Sequence, residues 1–360
     1  MIIKSLELRN FRNYEGGEVF FDERLNLVCG ENGQGKTNLI EAINFLSMAK
    51  SFRTRREAEL LREGEASFFV KGVFEKGGAP YTVEIVWSAS GPHGAGVRKF
   101  VVNGAERSSV VDLLGGIYTI VFSPEDLAVV KGGPDVRRRF LDREIILLRP
   151  LYYHKLKKYR GILKSRNALL KQDAPSPELL DVYDEQLAEA GAAVMEERVS
   201  YIAALAEESA ESVKQISDGR DALSVSYSPS FSGLSRESCK EDLQKNRDRD
   251  LFLHATETGP HRDDMALTLN GRDLRIYGSQ GQQRTAALSL RLAERALIKR
   301  ETGEDAILLL DDVMSELDAG RQERILSVFR DNQVFVTTAE VPDYPAGANV
   351  FTVTEGKISF

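Results

Sequence analysis

Runs in which apolar and polar residues alternate crowd the first hundred positions, and a period of two predicts strands. Ile2 to Leu8, Glu18 to Phe21 and Leu25 to Cys29 read as an opening sheet. Phe68 to Phe74, Tyr81 to Trp87 and Val97 to Val102 read as a three-strand meander, punctuated by Lys76-Gly77-Gly78 and the loop Gly91 to Gly96, with a tight-turn signal at Asn103-Gly104. Between the two groups the period changes, and Leu39, Ile40, Ile43 and Leu46 fall at helical spacing in the stretch Thr37 to Lys50. The pattern is helical again from Asp135 to Lys171 and from Glu178 to Ile216, with Asp173-Ala174-Pro175-Ser176-Pro177 as a connecting turn, which predicts two antiparallel limbs. Ser228 to Ser238 is Ser-rich and reads as loop. Met265 to Leu269 and Asp273 to Tyr277 flank Asn270-Gly271, a hairpin expected to return the chain to its core. A helix from Thr285 to Lys299, the continuous apolar run Ile307-Leu308-Leu309-Leu310 and a core strand from Gln333 to Val336 complete the pattern.

A chain of 360 residues exceeds the usual single-domain range, so a core with a large insertion is expected: residues 1–134, an inserted helical arm at 135–250, and the rest of the core at 251–360. Apolar residues make up 42% without any run of transmembrane length, which excludes a helical membrane protein. Met1-Ile2-Ile3-Lys4 runs at once into Glu7 and Arg9, so no signal peptide is expected, and two cysteines, Cys29 and Cys239, are too few for a disulfide framework or zinc site. That fits a reducing cytoplasm, and a cytoplasmic location is expected.

Chemistry enters at Gly30-Glu31-Asn32-Gly33-Gln34-Gly35-Lys36-Thr37, which fits G-x-x-x-x-G-K-[ST] at every fixed position between a short apolar strand and a helix. Glycines let backbone N–H groups face phosphates, the helix start adds a positive dipole end, Lys36 reaches the terminal phosphates and the Thr37 hydroxyl ligates magnesium. ATP and Mg2+ are the implied ligands. The strand ending in Asp311-Asp312 supplies the second half of such a site, 275 residues beyond Lys36. Asp311 is the candidate magnesium ligand, and Asp312 either orients or deprotonates the attacking water or caps the next helix.

The stretch Gly278-Ser279-Gln280-Gly281-Gln282-Gln283-Arg284, directly before a helix, resembles the signature motif of ABC and SMC-type ATPases, and Ser315-Glu316-Leu317-Asp318 resembles their D-loop. More specifically, the chain resembles the RecF family of bacterial recombination-mediator ATPases. The resemblance rests on Leu6 to Tyr14, the phosphate loop, Ser123-Pro124-Glu125-Asp126-Leu127, Lys131 to Asp142, Gly259-Pro260-His261-Arg262-Asp263-Asp264, the signature stretch and Leu310 to Asp318. It implies an α/β P-loop ABC/SMC-type ATPase head, a mixed sheet with an antiparallel meander, carrying an inserted helical arm. It also implies a homodimer that forms on ATP, with Ser279, Gln280, Gly281 and Gln282 of one head closing over the ATP of the other, and a D-loop role for Asp318. Slow hydrolysis, binding at gaps and single-strand/double-strand junctions of DNA, RecR and RecO as partners, and help in loading RecA belong to the same implication. Arg12 either touches the nucleotide, as the resemblance suggests, or is a surface arginine beside Phe11.

Net charge is −7, yet Lys131 to Lys171 holds thirteen Lys or Arg against three acids, and such asymmetry suits a basic face meeting a polyanion. Arg137, Arg138, Lys155, Lys157, Lys158, Arg160 and Lys164 are the candidate DNA contacts; the competing reading is an ordinary solvated helix face. His261, Arg262 and the cluster Arg53, Arg55, Arg56 keep both structural and functional readings. Two departures from the wider ABC class predict slow turnover: Asp312 stands where glutamate is common, and Thr337-Thr338 stands where a histidine is expected. A transporter ATPase subunit and a small-molecule phosphotransferase are the rival classes, opposed respectively by the basic arm and by the signature stretch.

Overall fold

The structure, a computed structural model, describes residues 1–89, 96–314, 329–339 and 348–359. It forms two compact units, Met1–Asp126 with Glu294–Phe360, and Leu127–Ala293.

The first unit opens with β1 (Ile2–Phe11), β2 (Tyr14–Phe20), β3 (Leu25–Cys29) and α1 (Lys36–Met48), then β4 (Ser67–Lys76), β5 (Ala79–Ser88), β6 (Val97–Val102), β7 (Ala105–Arg107) and β8 (Thr119–Phe122). The second contains α2 (Leu127–Lys131), α3 (Pro134–Leu148), α4 (Leu151–Leu170), α5 (Pro177–Ser217), β9 (Leu223–Ser228), α6 (Arg236–Lys245), α7 (Arg247–Leu253), β10 (Asp264–Leu269), β11 (Arg272–Asp273) and α8 (Leu274–Tyr277). Helix α9 (Gln280–Thr302) begins in the second unit and ends in the first, which closes with β12 (Ile307–Leu310), β13 (Val334–Thr338), β14 (Asn349–Thr354) and β15 (Lys357–Ser359).

Two six-stranded sheets build the first unit. One is antiparallel, β2-β1-β4-β5-β6-β7; the other runs β15-β14-β3-β13-β12-β8 and is parallel except for its β14/β15 edge pair. Leu25–Cys29 therefore belongs to the parallel sheet and not to the opening one. Its neighbours β13 and β14 come from the far end of the sequence, a pairing that local periodicity cannot reveal. Helix α1 is buried along nearly all of its length, from Lys36 and Leu39 to Met48, because apolar residues cover more than one face and both sheets contribute to the cluster around it. Phe11 and Phe68 meet edge-on at 5.4 Å within that core, and truncating such a ring typically costs about 3–5 kcal/mol. Strand β12 is buried at every position and pairs in parallel with β8 and β13. The carboxyl ends of β3, β12 and β13 thus lie together, where parallel sheets present their ligand sites.

In the second unit α4 and α5 run antiparallel: Lys155 pairs with Glu197, Lys158 with Glu189 and Arg166 with Asp184. The helical stretch after Asp135 is broken at Arg149-Pro150, giving α3 and α4 in place of one limb; proline fits only a helix's first turn. Arg166 is fully buried and donates to Asp184, Asp250 and Thr256 at 2.7 Å each. Buried charge is tolerated only when paired in this way, and removing one partner typically costs about 3–5 kcal/mol.

The hairpin at Asn270-Gly271 forms, but β10 pairs with β9 on its other side, so the three strands stay in the second unit and the chain leaves it only after Ala293. The expected return at residue 251 is thereby shifted. Asp273 to Tyr277 is not a strand throughout: the Asp273 carboxylate accepts the Ile276 N–H at 3.1 Å and starts one helical turn, α8. No described helix is long and apolar enough to cross a membrane.

Candidate functional site

The loop 30–37 links β3 to α1, and its shape is set by neighbours from both sheets. Gly30 has φ 150°, and a Cβ there would lie 2.4 Å from the Val353 carbonyl oxygen; Gly35 has φ 122°, and a Cβ would meet the Asn13 amide at 2.7 Å. Only glycine suits such positions. Asn13 latches the loop from the β1–β2 turn, its Nδ2 donating to the Gln34 carbonyl at 2.7 Å while its Oδ1 accepts from Asn38 at 2.8 Å. Gly356 donates its amide to the same Gln34 carbonyl at 3.0 Å, and the Glu355 amide donates to the Gln34 side chain at 2.6 Å. Asn13 is a site residue that motif spacing does not flag, since it precedes the loop by seventeen positions.

Inside the loop, Lys36 Nζ donates to the carbonyls of Gly30 at 2.6 Å and Glu31 at 2.9 Å, so the ammonium is held across the loop and close to the chain that a phosphate would face. Thr37 Oγ1 donates to Asp311 Oδ1 at 2.8 Å, which brings together the two sequence-predicted magnesium ligands. A third group joins them. Thr337 Oγ1, at the end of β13, donates to the same Asp311 oxygen at 3.0 Å and accepts the Asp312 amide at 2.9 Å. Burial pushes the Asp311 carboxyl above its ordinary value, and the hydroxyls of Thr37 and Thr337 pull it partly back. A buried carboxylate beside a threonine hydroxyl is a hard-oxygen donor set, which fits a magnesium ion. Asp312 is exposed and adopts the left-handed region at φ 55°, a conformation that aspartate tolerates better than most residues. Asp318 and the rest of the D-loop stretch lie outside the described residues.

Arg12 is committed elsewhere. Its Nε and Nη2 both donate to the buried Glu41 carboxylate at 2.8 Å, and Nη1 donates to the Glu59 carbonyl at 2.7 Å. In this arrangement Arg12 compensates the buried charge of Glu41 inside α1. Arg53 donates to Asn38 at 2.8 Å, while Arg55 and Arg56 are exposed.

In the second unit the signature stretch forms the start of α9. Ser279 Oγ accepts the Gln282 amide at 3.3 Å, and Gln282 Oε1 accepts the Ser279 amide at 3.1 Å, a reciprocal cap. Gln280 is exposed, and a side chain added at Gly281 would meet nothing. Backbone donors and the positive end of a 23-residue helix are thus held together.

The basic candidates separate. Arg137 is only 7% exposed and grips Asp264 through Nε and Nη2 at 2.6 and 2.7 Å, so its charge is answered within the unit. Arg138 is tied to the Asp263 carbonyl and to Asp135. Lys155 and Lys158 pair with Glu197 at 2.6 Å and Glu189 at 3.0 Å, acids supplied by α5. Arg160 reaches Asp142 at 2.9 Å but stays 63% exposed. Lys157 and Lys164 are exposed and carry no ion pair among the described residues. His261 Nε2 donates to the Thr256 carbonyl at 2.8 Å, and Nδ1 lies 2.6 Å from the Tyr159 hydroxyl. Both ring nitrogens are satisfied within the unit, and burial lowers the pKa of the ring.

The parallel sheet, the phosphate loop and the Thr37–Asp311–Thr337 cluster define a P-loop ATPase head of the ABC/SMC class. A family model, RecF/RecN/SMC N terminal domain, matches residues 2–358. The DNA replication and repair protein RecF of Halalkalibacterium halodurans is 43% identical over 353 residues, spanning 95% of this chain and 93% of its own. A solved structure of the recombination mediator protein RecF-ATP in the RecFOR pathway superposes with a TM-score of 0.93 at 36% identity, over 99% of this chain and 97% of that one. The Smc head of Pyrococcus furiosus, at 16% identity and a TM-score of 0.56 over 99% and 95%, shares the fold. The chain belongs to the RecF family.

Proposed function

We propose that this protein is an ATP-dependent DNA-binding protein of recombinational repair and replication-fork maintenance, in which ATP binding drives dimerisation and slow hydrolysis reverses it. The observation that carries the reading is the Thr37–Asp311–Thr337 cluster beside a latched phosphate loop, built from residues 274 and 26 positions apart. ATP binds along residues 30–37, with Lys36 released from the loop carbonyls to meet the terminal phosphates. Magnesium, held by Thr37 and Asp311, would neutralise the charge that develops on the transferred phosphoryl group. Asp312, next to that ligand, orients or deprotonates the attacking water.

Ser279, Gln280, Gly281 and Gln282 of a second copy close the site. Support comes from the capped start of α9, which places the positive end of a 23-residue helix behind Ser279, and from Ile276 and Tyr277 just before it, 69% and 67% exposed. Exposed apolar groups next to an anion site suit a protein contact. The dimer clamps DNA without sequence preference, at gaps or single-strand/double-strand junctions, through phosphate contacts from Lys157, Lys164 and Arg160. RecR and RecO as partners, and assistance to RecA loading, rest on the RecFOR relative alone.

The test is sedimentation of the protein with and without MgATP and a gapped duplex. A dimer that forms on ATP and carries the DNA is expected. Lys36→Ala should remain monomeric under the same conditions; a normal ATP dimer from that variant would sink the sandwich.

A further inference from the structure

Outside the ATP site, the second unit contains a cavity of about 180 Å3 walled by α3, α4, α5 and the turn at Pro260-His261. Four arginines line it, Arg138, Arg139, Arg160 and Arg198, against two carboxylates, Asp135 and Asp142. The carboxylates are already engaged. Asp142 accepts the Tyr152 hydroxyl at 2.7 Å, Arg198 at 2.8 Å and Arg160 at 2.9 Å, and Asp135 is held by Arg138. Both ring nitrogens of His261 are engaged, by a carbonyl and a hydroxyl, and burial disfavours its charged form. Arg198 also faces the buried Asp263 carboxylate at 3.5 Å, so four positive charges meet three negative and leave a surplus of one.

That surplus has donors to spend. Arg139 is exposed and makes no hydrogen bond or ion pair among the described residues, so all five of its N–H groups are free. Arg160 commits only Nη2 and is 63% exposed, leaving the rest of its fork at the mouth. Paired guanidinium forks are the protein group best matched to phosphate oxygens. Size selects further: pockets for whole small-molecule ligands run from about 300 Å3 upward, and this one is smaller.

We propose that this cavity is a phosphate-binding pocket, which takes a single phosphate group on the forks of Arg139 and Arg160. The group is either a phosphate of a nucleic-acid strand, a source that rests on the DNA-binding reading above, or a free phosphate.

Arg139→Gln removes one fork at an exposed position without disturbing a pair, and should leave ATP turnover unchanged. Inorganic phosphate is titrated calorimetrically into the full chain carrying Lys36→Ala, so that the phosphate loop does not compete, and into the otherwise unaltered chain saturated with MgADP as a second format. Arg139→Gln should weaken phosphate binding by about tenfold or more, the loss typical of a charge-assisted hydrogen-bond pair. Equal phosphate binding with and without Arg139, or none in either, overturns the pocket. The source follows from anisotropy of a gapped duplex at several salt concentrations. A salt slope lower by about 0.9 in Arg139→Gln assigns the phosphate to DNA, whereas an unchanged slope beside lost phosphate binding assigns it to a free phosphate. Failure of the unaltered chain to bind the duplex would remove the DNA reading and leave the phosphate result standing.

Discussion

Among single residues, Thr337 bears most directly on turnover. A threonine cannot act as the charged phosphate sensor that a histidine would provide, so its position predicts a slow enzyme. In the structure its hydroxyl instead donates to the Asp311 carboxylate and accepts the Asp312 amide, which fixes both acids relative to Thr37. Groups that orient a metal ligand typically contribute about 10–100-fold to metal affinity or activity. Thr337→Val should therefore raise the magnesium concentration needed for half-maximal ATP turnover by roughly that factor, with nucleotide binding in the absence of magnesium nearly unchanged. Thr337→Ser should restore it. A valine variant with wild-type magnesium dependence would reduce Thr337 to a strand residue.

Among the elements, the helix pair α4–α5 decides how much of the arm's charge is available. Along α4 alone, no acid occurs between Lys155 and Lys171, and the whole row looks free. The neutralising carboxylates come from α5, with Glu197 and Glu189 opposite Lys155 and Lys158. Arg137 is answered from 127 positions away by Asp264. Such pairings are set by packing and are invisible to periodicity, whereas the phosphate loop and the strand before Asp311 are local patterns and were legible in the sequence. Lys157 and Lys164, two turns apart on one face, are the lysines of α4 that carry no ion pair among the described residues and, with Arg160, are proposed to meet phosphates. Lys157→Gln with Lys164→Gln should flatten the salt slope of DNA binding by about 1.8, two phosphate contacts at ~0.9 each. Neutralising Lys155 and Lys158 should change the slope far less, since their charge is already compensated; the reverse order in the same anisotropy titrations would move the DNA to the α5 side of the arm.

Across the full chain, the stretches read as nucleotide motifs fall in both compact units. The phosphate loop, Asp311 and Thr337 belong to the first unit, while the capped start of α9 with Ser279 belongs to the second. The resemblance made this division legible as a class, but the extent of the second unit was not, because its three-stranded sheet recruits β10 after a long helical excursion. If the signature acts across the dimer, each active site needs one phosphate loop and one signature from different copies. Lys36→Ala loses the first and Ser279→Arg the second, the latter by putting bulk and a cation at a helix start whose positive end must meet an anion. Each variant alone should have no ATP turnover. Mixed, they form heterodimers in which the Ser279→Arg copy supplies the loop and the Lys36→Ala copy supplies the signature, so one complete site is rebuilt. Turnover should therefore reappear in the mixture and peak at equal proportions. Silence at every ratio, with heterodimers verified by sedimentation, would mean that the signature serves the ATP of its own chain.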